Sequence, residues 1–290
     1  MRKECFPFEI GDFHCFAVRD GTFTYAPPMF PPPATFLFAN APKERLEHVL
    51  GEHDLHSERW PTWTSPYICV VINTGTHMVL VDTGAGKLSP TTGNLLKHLD
   101  AEGIPPQAID TVILTHGHPD HIGGNVDDEG KPAFPNARYV MGKEEWEFWT
   151  TEPTELNADD HVQETLRTVA RRNLPPIRSQ LRLVNYDVEI VPGISATAAP
   201  GHTLGHMAVT VSSGGDRLFC IADAALHPIH VEEPAWHAAI DFSPRLVEQT
   251  RRTLFTRAVD ENAWVLAFHF PFPGLGHIVE KRDRWGWQPI

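Results

Sequence analysis

The sequence predicts an α/β fold in which two β-sheets pack face to face with helices outside, and three observations carry that expectation. Apolar, β-branched runs fall into two groups along the chain. Segments with helical spacing lie between and after them. A histidine or aspartate stands where several of the apolar runs end, so that strand ends can meet in one cleft.

Taken in order, Phe8 to Thr24 reads as two short strands around a Gly-containing turn. Tyr25 to Phe38, YAPPMFPPPATFLF, is too rich in proline for a helix or a central strand and predicts an ordered arm. Lys43 to Leu50 predicts a short helix, and YICVVINTGTHMVLVDTG predicts a hairpin around a Thr-Gly turn. Asn94 to Ala101 has helical spacing; GIPPQAID ends it, and TVILT forms a short buried strand. ARYVMG reads as a strand, and KEEWEFW and ADDHVQETLRTVARR as helices, the first with Trp146 and Trp149 on one side. Strands return at LRLVNY, VEIVPGISATAA, MAVTVSS and RLFCIAD. Ser243 followed by Pro244 starts a helix with Leu246, Val247, Thr250, Leu254, Phe255 and Ala258 on its apolar face. WVLAF is the last strand in this reading and delivers His269. No internal repeat divides the chain, which predicts a single domain over 1–290 whose first 66 residues hold the N-terminal strands and the arm.

A chain of 290 residues, 41% hydrophobic, can bury a sizeable core. Its net charge of −13, with no block of Lys or Arg, argues against a nucleic-acid or membrane-surface partner. No apolar run reaches membrane-spanning length and the N-terminus lacks the apolar stretch of a secretory signal, so a cytoplasmic location is the expectation. Cys5, Cys15, Cys69 and Cys220 are scattered and read as buried, reduced thiols.

The chemistry concentrates in LTHGHPDHIGG, Leu114 to Gly124. His116 and His118 project to one side of an extended segment, and Pro119 can start a helix that swings Asp120 and His121 inward. Imidazole and carboxylate ligands suit Zn(II), and also Fe(II), Mn(II) or Co(II). A polar loop without metal is the alternative for this cluster alone. Three more residues weigh against it, because His202 in PGHTLGH, Asp223 at the end of RLFCIAD and His269 at the end of WVLAF all follow apolar strands. Seven such residues suffice for two metal ions sharing one carboxylate.

VDTG (Val81 to Gly84), THGHPDHIGG, APGHTLGH (Ala199 to His206), Asp223 and His269 together resemble the metallo-β-lactamase fold superfamily of hydrolases, from about Cys69 onward. The resemblance implies a four-layer αβ/βα sandwich with a dinuclear metal site at the edge of the two sheets. It implies that His116, His118 and His202 hold the first metal, that Asp120, His121 and His269 hold the second, and that Asp223 bridges them. Asp82 and His206 would support these ligands from behind. Two divalent ions, zinc first among them, would supply a bridging hydroxide, with Asp120 and Asp223 as the catalytic carboxylates.

Within the superfamily the ending AFHFPFPGLGHI is similar to the branch of N-acyl-homoserine lactonases and methyl-parathion-hydrolase-like organophosphate hydrolases. Lactonases of that branch often carry a tyrosine three residues after the bridging aspartate; here Leu226 stands there, followed by His227. The substrate expected is a neutral small-molecule ester, lactone or phosphotriester, held by Trp149, Phe270, Phe36, Phe38, Leu226 and His227. The arm is expected to cap its own pocket or to join two copies in a homodimer. The competing readings are a glyoxalase-II-like thioesterase, a persulfide-dioxygenase-like iron enzyme, a flavin-linked di-iron oxidoreductase, a nuclease and a non-enzymatic metal-binding protein. The first and third normally carry an additional domain, and the last normally loses ligands.

Overall fold

Along the strand Trp63–Asn73, alternate side chains enter two different cores. Ile68, Val70 and Ile72 face a second sheet, whereas Tyr67, Cys69 and Val71 face helices on the outside. A strand buried on both faces is apolar throughout, which is why ICVVI shows no polar alternation.

The structure is a computed structural model and describes residues 4–151, 156, 158–282 and 284–290. Among the described residues two seven-stranded sheets are formed in chain order. The first holds β1 (Cys5–Ile10), β2 (Phe13–Tyr25), β3 (Trp63–Asn73), β4 (Met78–Val81), β5 (Thr111–Leu114), β6 (Arg138–Gly142) and β7 (Leu181–Val184). The second holds β8 (Val188–Val191), β9 (Ile194–Ala198), β10 (Met207–Ser213), β11 (Asp216–Cys220), β12 (Trp264–Leu266), β13 (Leu275–Lys281) and β14 (Arg284–Pro289). β1 to β4 are antiparallel and β4 to β7 parallel. The second sheet is antiparallel apart from the β11–β12 pair, which is parallel.

The helices are α1 (Pro33–Leu37), α2 (Lys43–Glu52), α3 (Leu95–Ala101), α4 (Pro119–Ile122), α5 (Lys143–Thr150), α6 (Asp160–Asn173), α7 (Ile229–Glu232) and α8 (Pro244–Asp260). Leu95 and Leu99 of α3 and Leu166 and Ala170 of α6 cover the outer face of the first sheet. Leu254, Phe255 and Ala258 of α8 cover Phe219 and Val265 on the outer face of the second. The layers therefore run helix, sheet, sheet, helix, the four-layer sandwich expected.

Several local expectations are revised. β2 is a 13-residue strand with an irregularity between Arg19 and Gly21, not a short one, because β3 pairs with it along nearly its whole length. The arm does contain a helical turn, α1, which begins at Pro33, where the missing N–H costs nothing. VEIVPGISATAA is two strands broken at Pro192 and Gly193, the latter at φ +81°. WVLAF is not the last strand: β12 ends at Leu266, and the hairpin β13–β14 follows and extends the sheet. Gly276 and Gly286 inside that hairpin weaken its strand signal in the sequence. The four cysteines are free and buried, and burial pushes the Cys5 and Cys15 thiols up to about 12.

Candidate metal centre

β5 is buried along all four residues and delivers Thr115 and His116 to the edge of the sheet. His118 precedes α4, whose first residue is Pro119, and this turn brings Asp120 and His121 back beneath His116. The β9–β10 connection brings His202, the end of β11 brings Asp223, and the segment after β12 brings His269. All seven side chains are buried. Their ligand atoms form two groups, His116, His118, His202 and Asp223, and Asp120, His121, Asp223 and His269, with the atoms in each within 4.8 Å of one another.

Asp223 belongs to both groups, and its two oxygens divide between them. Oδ2 lies 3.1 Å from His202 Nε2 and 3.6 Å from His116 Nε2. Oδ1 lies 3.1 Å from His121 Nε2 and 3.2 Å from His269 Nε2, which is also 3.3 Å from Oδ2. Asp120 Oδ2 is 3.4 Å from His269 Nε2. His116 Nε2, His121 Nε2 and Asp223 Oδ1 are buried without a hydrogen-bond partner. An unmet buried polar atom costs about 1–3 kcal/mol, so three such atoms within the two ligand groups call for cations there. The donor set, imidazole and carboxylate without thiolate, fits a zinc-like divalent ion.

The outward ring nitrogens of His116, His121, His202 and His269 are held by the protein, which fixes these imidazoles with their other nitrogen turned inward. His121 Nδ1–H donates to Asp82 Oδ2 at 2.7 Å, and His202 Nδ1–H donates to Asp241 Oδ1 at 2.7 Å. His269 Nδ1 meets Ser65 Oγ at 2.9 Å and His116 Nδ1 meets Thr115 Oγ1 at 3.1 Å. His118 Nδ1 and His202 Nε2 sit 2.9 Å apart. The electrostatics follow from crowding. Burial drives His116 and His118 well below the usual imidazole range. Burial works the same way on His121 and His202, but Asp223, with Asp82 and Asp120 for His121 and Asp241 for His202, outweighs it and raises both, His202 to about 9. Asp223 is held well below the carboxylate range although burial opposes this, because His269, His121 and His202 surround it.

Asp82 lies in the turn after β4 at φ +60°, and besides His121 it accepts the Thr115 N–H at 2.8 Å. His206 does not face the ligand cluster: Nδ1–H donates to the Ala199 carbonyl, and Nε2 accepts the Asp223 N–H at 3.1 Å. It positions the Asp223 backbone.

Three buried charged residues behind the ligands, Glu145, Asp241 and Arg251, escaped the sequence reading. Glu145 on α5 accepts from Gly117 N, Trp149 Nε1, Thr203 Oγ1 and Gly205 N, at 2.7–3.0 Å. Asp241 orients His202. Arg251 on α8 has its guanidinium 3.7 Å from Asp241 and donates to the carbonyls of Ala224, Pro234 and Trp236. Of these only Glu145 had a signal, since it is four residues before Trp149 and so shares that residue's inward helix face.

A cavity of about 220 Å³ opens over the cluster, with His118, Asp120, His202, Asp223 and His269 at its floor. Its walls are Phe23, Tyr25, Phe30, Phe36, Trp63 and Tyr67 from the N-terminal segment, Val162 and Leu166 from α6, and Leu226 and Ile240. Phe36 and Leu226 thus line it as expected. Phe270 does not: it is fully buried behind the second sheet against Trp287, because successive side chains diverge and His269 takes the site side. Phe38 and His227 pack on each other beside Trp236 and Trp60, behind the wall rather than on it. Trp149 stands 5.6 Å from His118, in a narrower recess next to the cavity, with its indole N–H committed to Glu145.

Residues 66–269 match the metallo-β-lactamase superfamily domain. The chain belongs to that superfamily of metal-dependent hydrolases. It is 36% identical over 92 residues to an uncharacterised protein of Caenorhabditis elegans, C03F11.2, a match spanning 31% of this chain and 24% of that protein. It is 26% identical over 171 residues to an N-acyl homoserine lactonase of a Bacillus species, spanning 51% of this chain and 59% of the relative. The chain therefore spans less than two thirds of the length of either relative. Among solved structures, AidC, a dizinc quorum-quenching lactonase in complex with the product N-hexanoyl-L-homoserine, superposes with a TM-score of 0.83 at 25% identity, covering 99% of this chain and 97% of that one. The hydrolase AbOPH shares the fold with a TM-score of 0.86 at 24% identity, covering 100% and 98%.

Proposed function

We propose that the protein holds two divalent metal ions, zinc first among them, and hydrolyses a neutral lactone of the N-acyl homoserine type. The observation that carries the reading is Asp223, which belongs to both groups of buried ligand atoms at the floor of an apolar cavity with no lysine or arginine among the described residues of its wall. His116, His118 and His202 would hold one ion, Asp120, His121 and His269 the other, and Asp223 both. When bound, such a pair supplies a water acidified to near neutrality and polarises the carbonyl it faces.

The chain's own groups do the rest. The aromatic walls exclude bulk water and take up an apolar acyl chain, and the absence of a cation disfavours anionic substrates such as phosphomonoesters. In lactone opening, a water oxygen bonds to the carbonyl carbon, the ring C–O bond breaks, and the leaving oxygen takes up a proton. Asp120, one of the two carboxylates at the cavity floor, would pass it. The likeness to a lactonase with its product bound supports this choice of substrate.

The test is hydrolysis of N-hexanoyl homoserine lactone and of a dimethyl aryl phosphotriester by zinc-loaded protein, with Asp223→Asn as the blank. Lactone turnover well above triester turnover is expected. The reverse would make the protein an organophosphate hydrolase, the reading that the apolar Leu226 in the wall favours.

A further inference from the structure

Away from the metal ligands, the cavity wall offers few polar groups. Thr165 commits its hydroxyl proton to the His161 carbonyl at 3.1 Å. The others are the indole N–H of Trp63 and the hydroxyls of Tyr25, on β2, and Tyr67, on β3, the two tyrosine oxygens 2.9 Å apart. A hydroxyl carries one proton and two lone pairs, so in this pair one tyrosine donates to the other. The accepting tyrosine keeps a proton, for which the described residues supply no acceptor. Among the described residues the rest of the wall is apolar, aromatic and aliphatic, and carries no lysine or arginine.

The pair is rigid. Tyr25 stacks against Trp63 at 4.8 Å and against Phe36 at 5.4 Å, and the Tyr67 ring meets that of His269 edge-on at 5.5 Å. Tyr67 is 1% exposed. A donor held this way loses little freedom when a ligand arrives, and it stands on the wall that adjoins His269, next to the metal-binding floor.

We infer that the Tyr25–Tyr67 hydroxyl pair is a substrate-contacting donor, its one uncommitted proton hydrogen-bonding an acceptor oxygen of the ester, with Tyr25 and Tyr67 acting as a unit. This deepens the hydrolase reading above and rests on it. It also defines the substrate further: an uncharged molecule with one compact acceptor-bearing head and an apolar remainder. Bonding to the oxygen that gains charge affects kcat, whereas bonding to a remote acyl oxygen affects KM alone.

The test uses the zinc-loaded full chain and the variants Tyr25→Phe, Tyr67→Phe and the double variant, with metal content and melting temperature measured alongside. Wild-type turnover of N-hexanoyl homoserine lactone, the dimethyl aryl phosphotriester and p-nitrophenyl acetate is measured first. No lactone turnover overturns the lactone reading alone, and the pair is then assayed on whichever ester is cleaved. Each single variant is expected to lower kcat/KM about 10- to 100-fold with two metals retained, and the double variant to do little worse than the poorer single one. Product binding is read by calorimetry as a measure independent of turnover, and N-hexanoyl homoserine is expected to bind the double variant about 10-fold more weakly. Equal kcat/KM and equal product affinity in wild type and double variant, or an inert wild type that also fails to bind the product, overturns the pair's role.

Discussion

Glu145 Oε1 accepts the backbone N–H of Gly117 at 2.8 Å, and through this bond helix α5 holds the turn between His116 and His118. The other oxygen, Oε2, takes Thr203 Oγ1 at 2.7 Å and Gly205 N at 3.0 Å, on the segment that carries His202. One carboxylate thus joins the two loops that bring three histidines to one point. Gly117 allows the approach: a Cβ there would meet the Trp149 ring at 2.2 Å.

Glu145→Ala leaves four buried donors without their acceptor. The expected cost is about 3 kcal/mol or more in unfolding free energy, read by urea denaturation of the metal-free protein. Metal content measured on the purified variant should fall as well, since both ligand loops lose their tie.

Asp223→Asn removes the shared charge from both ligand groups. Elemental analysis should show less than two metals per chain, and turnover of the best substrate should fall by about 100-fold or more. Retention of two metals and full turnover would refute the bridging assignment.

Asp241→Asn acts one bond further out. The amide no longer enforces the His202 tautomer, and Arg251, fully buried, loses its counter-charge. Competition with a chromophoric chelator should show metal affinity about 10- to 100-fold weaker. The loss should be larger for an ion at the His116, His118 and His202 group than for one at the Asp120, His121 and His269 group.

Chelation should lower the melting temperature, and added zinc should restore it. Binding to the folded chain alone stabilises it by about 4 kcal/mol at a thousand times Kd. A melting temperature indifferent to chelator and zinc would argue against ions at the two groups that contain His116 Nε2, His121 Nε2 and Asp223 Oδ1.

How much was legible depends on sequence distance. His116, His118, Asp120 and His121 lie within six residues, next to a buried strand and a helix-starting proline, so local geometry sufficed to group them. Phe270 adjoins His269 in sequence and yet belongs behind the second sheet, because neighbouring side chains point apart. Asp241 stands alone in the sequence and acquires its role only because α8 and the loop before it pack beneath His202. Tyr25, within the proline-rich arm, reads as one more aromatic until β3 places Tyr67 against it.

By itself the sequence determined the layered α/β architecture and the residue types able to bind metal, since hydrophobic period and ligand spacing are local properties. Tertiary structure alone decided which oxygen of Asp223 faces which histidines, which aromatics wall the cavity, and which buried acids hold the ligand loops. Those relations join residues tens to hundreds of positions apart, and they exist only after two sheets have closed on each other and excluded the water that would otherwise satisfy every one of these polar groups.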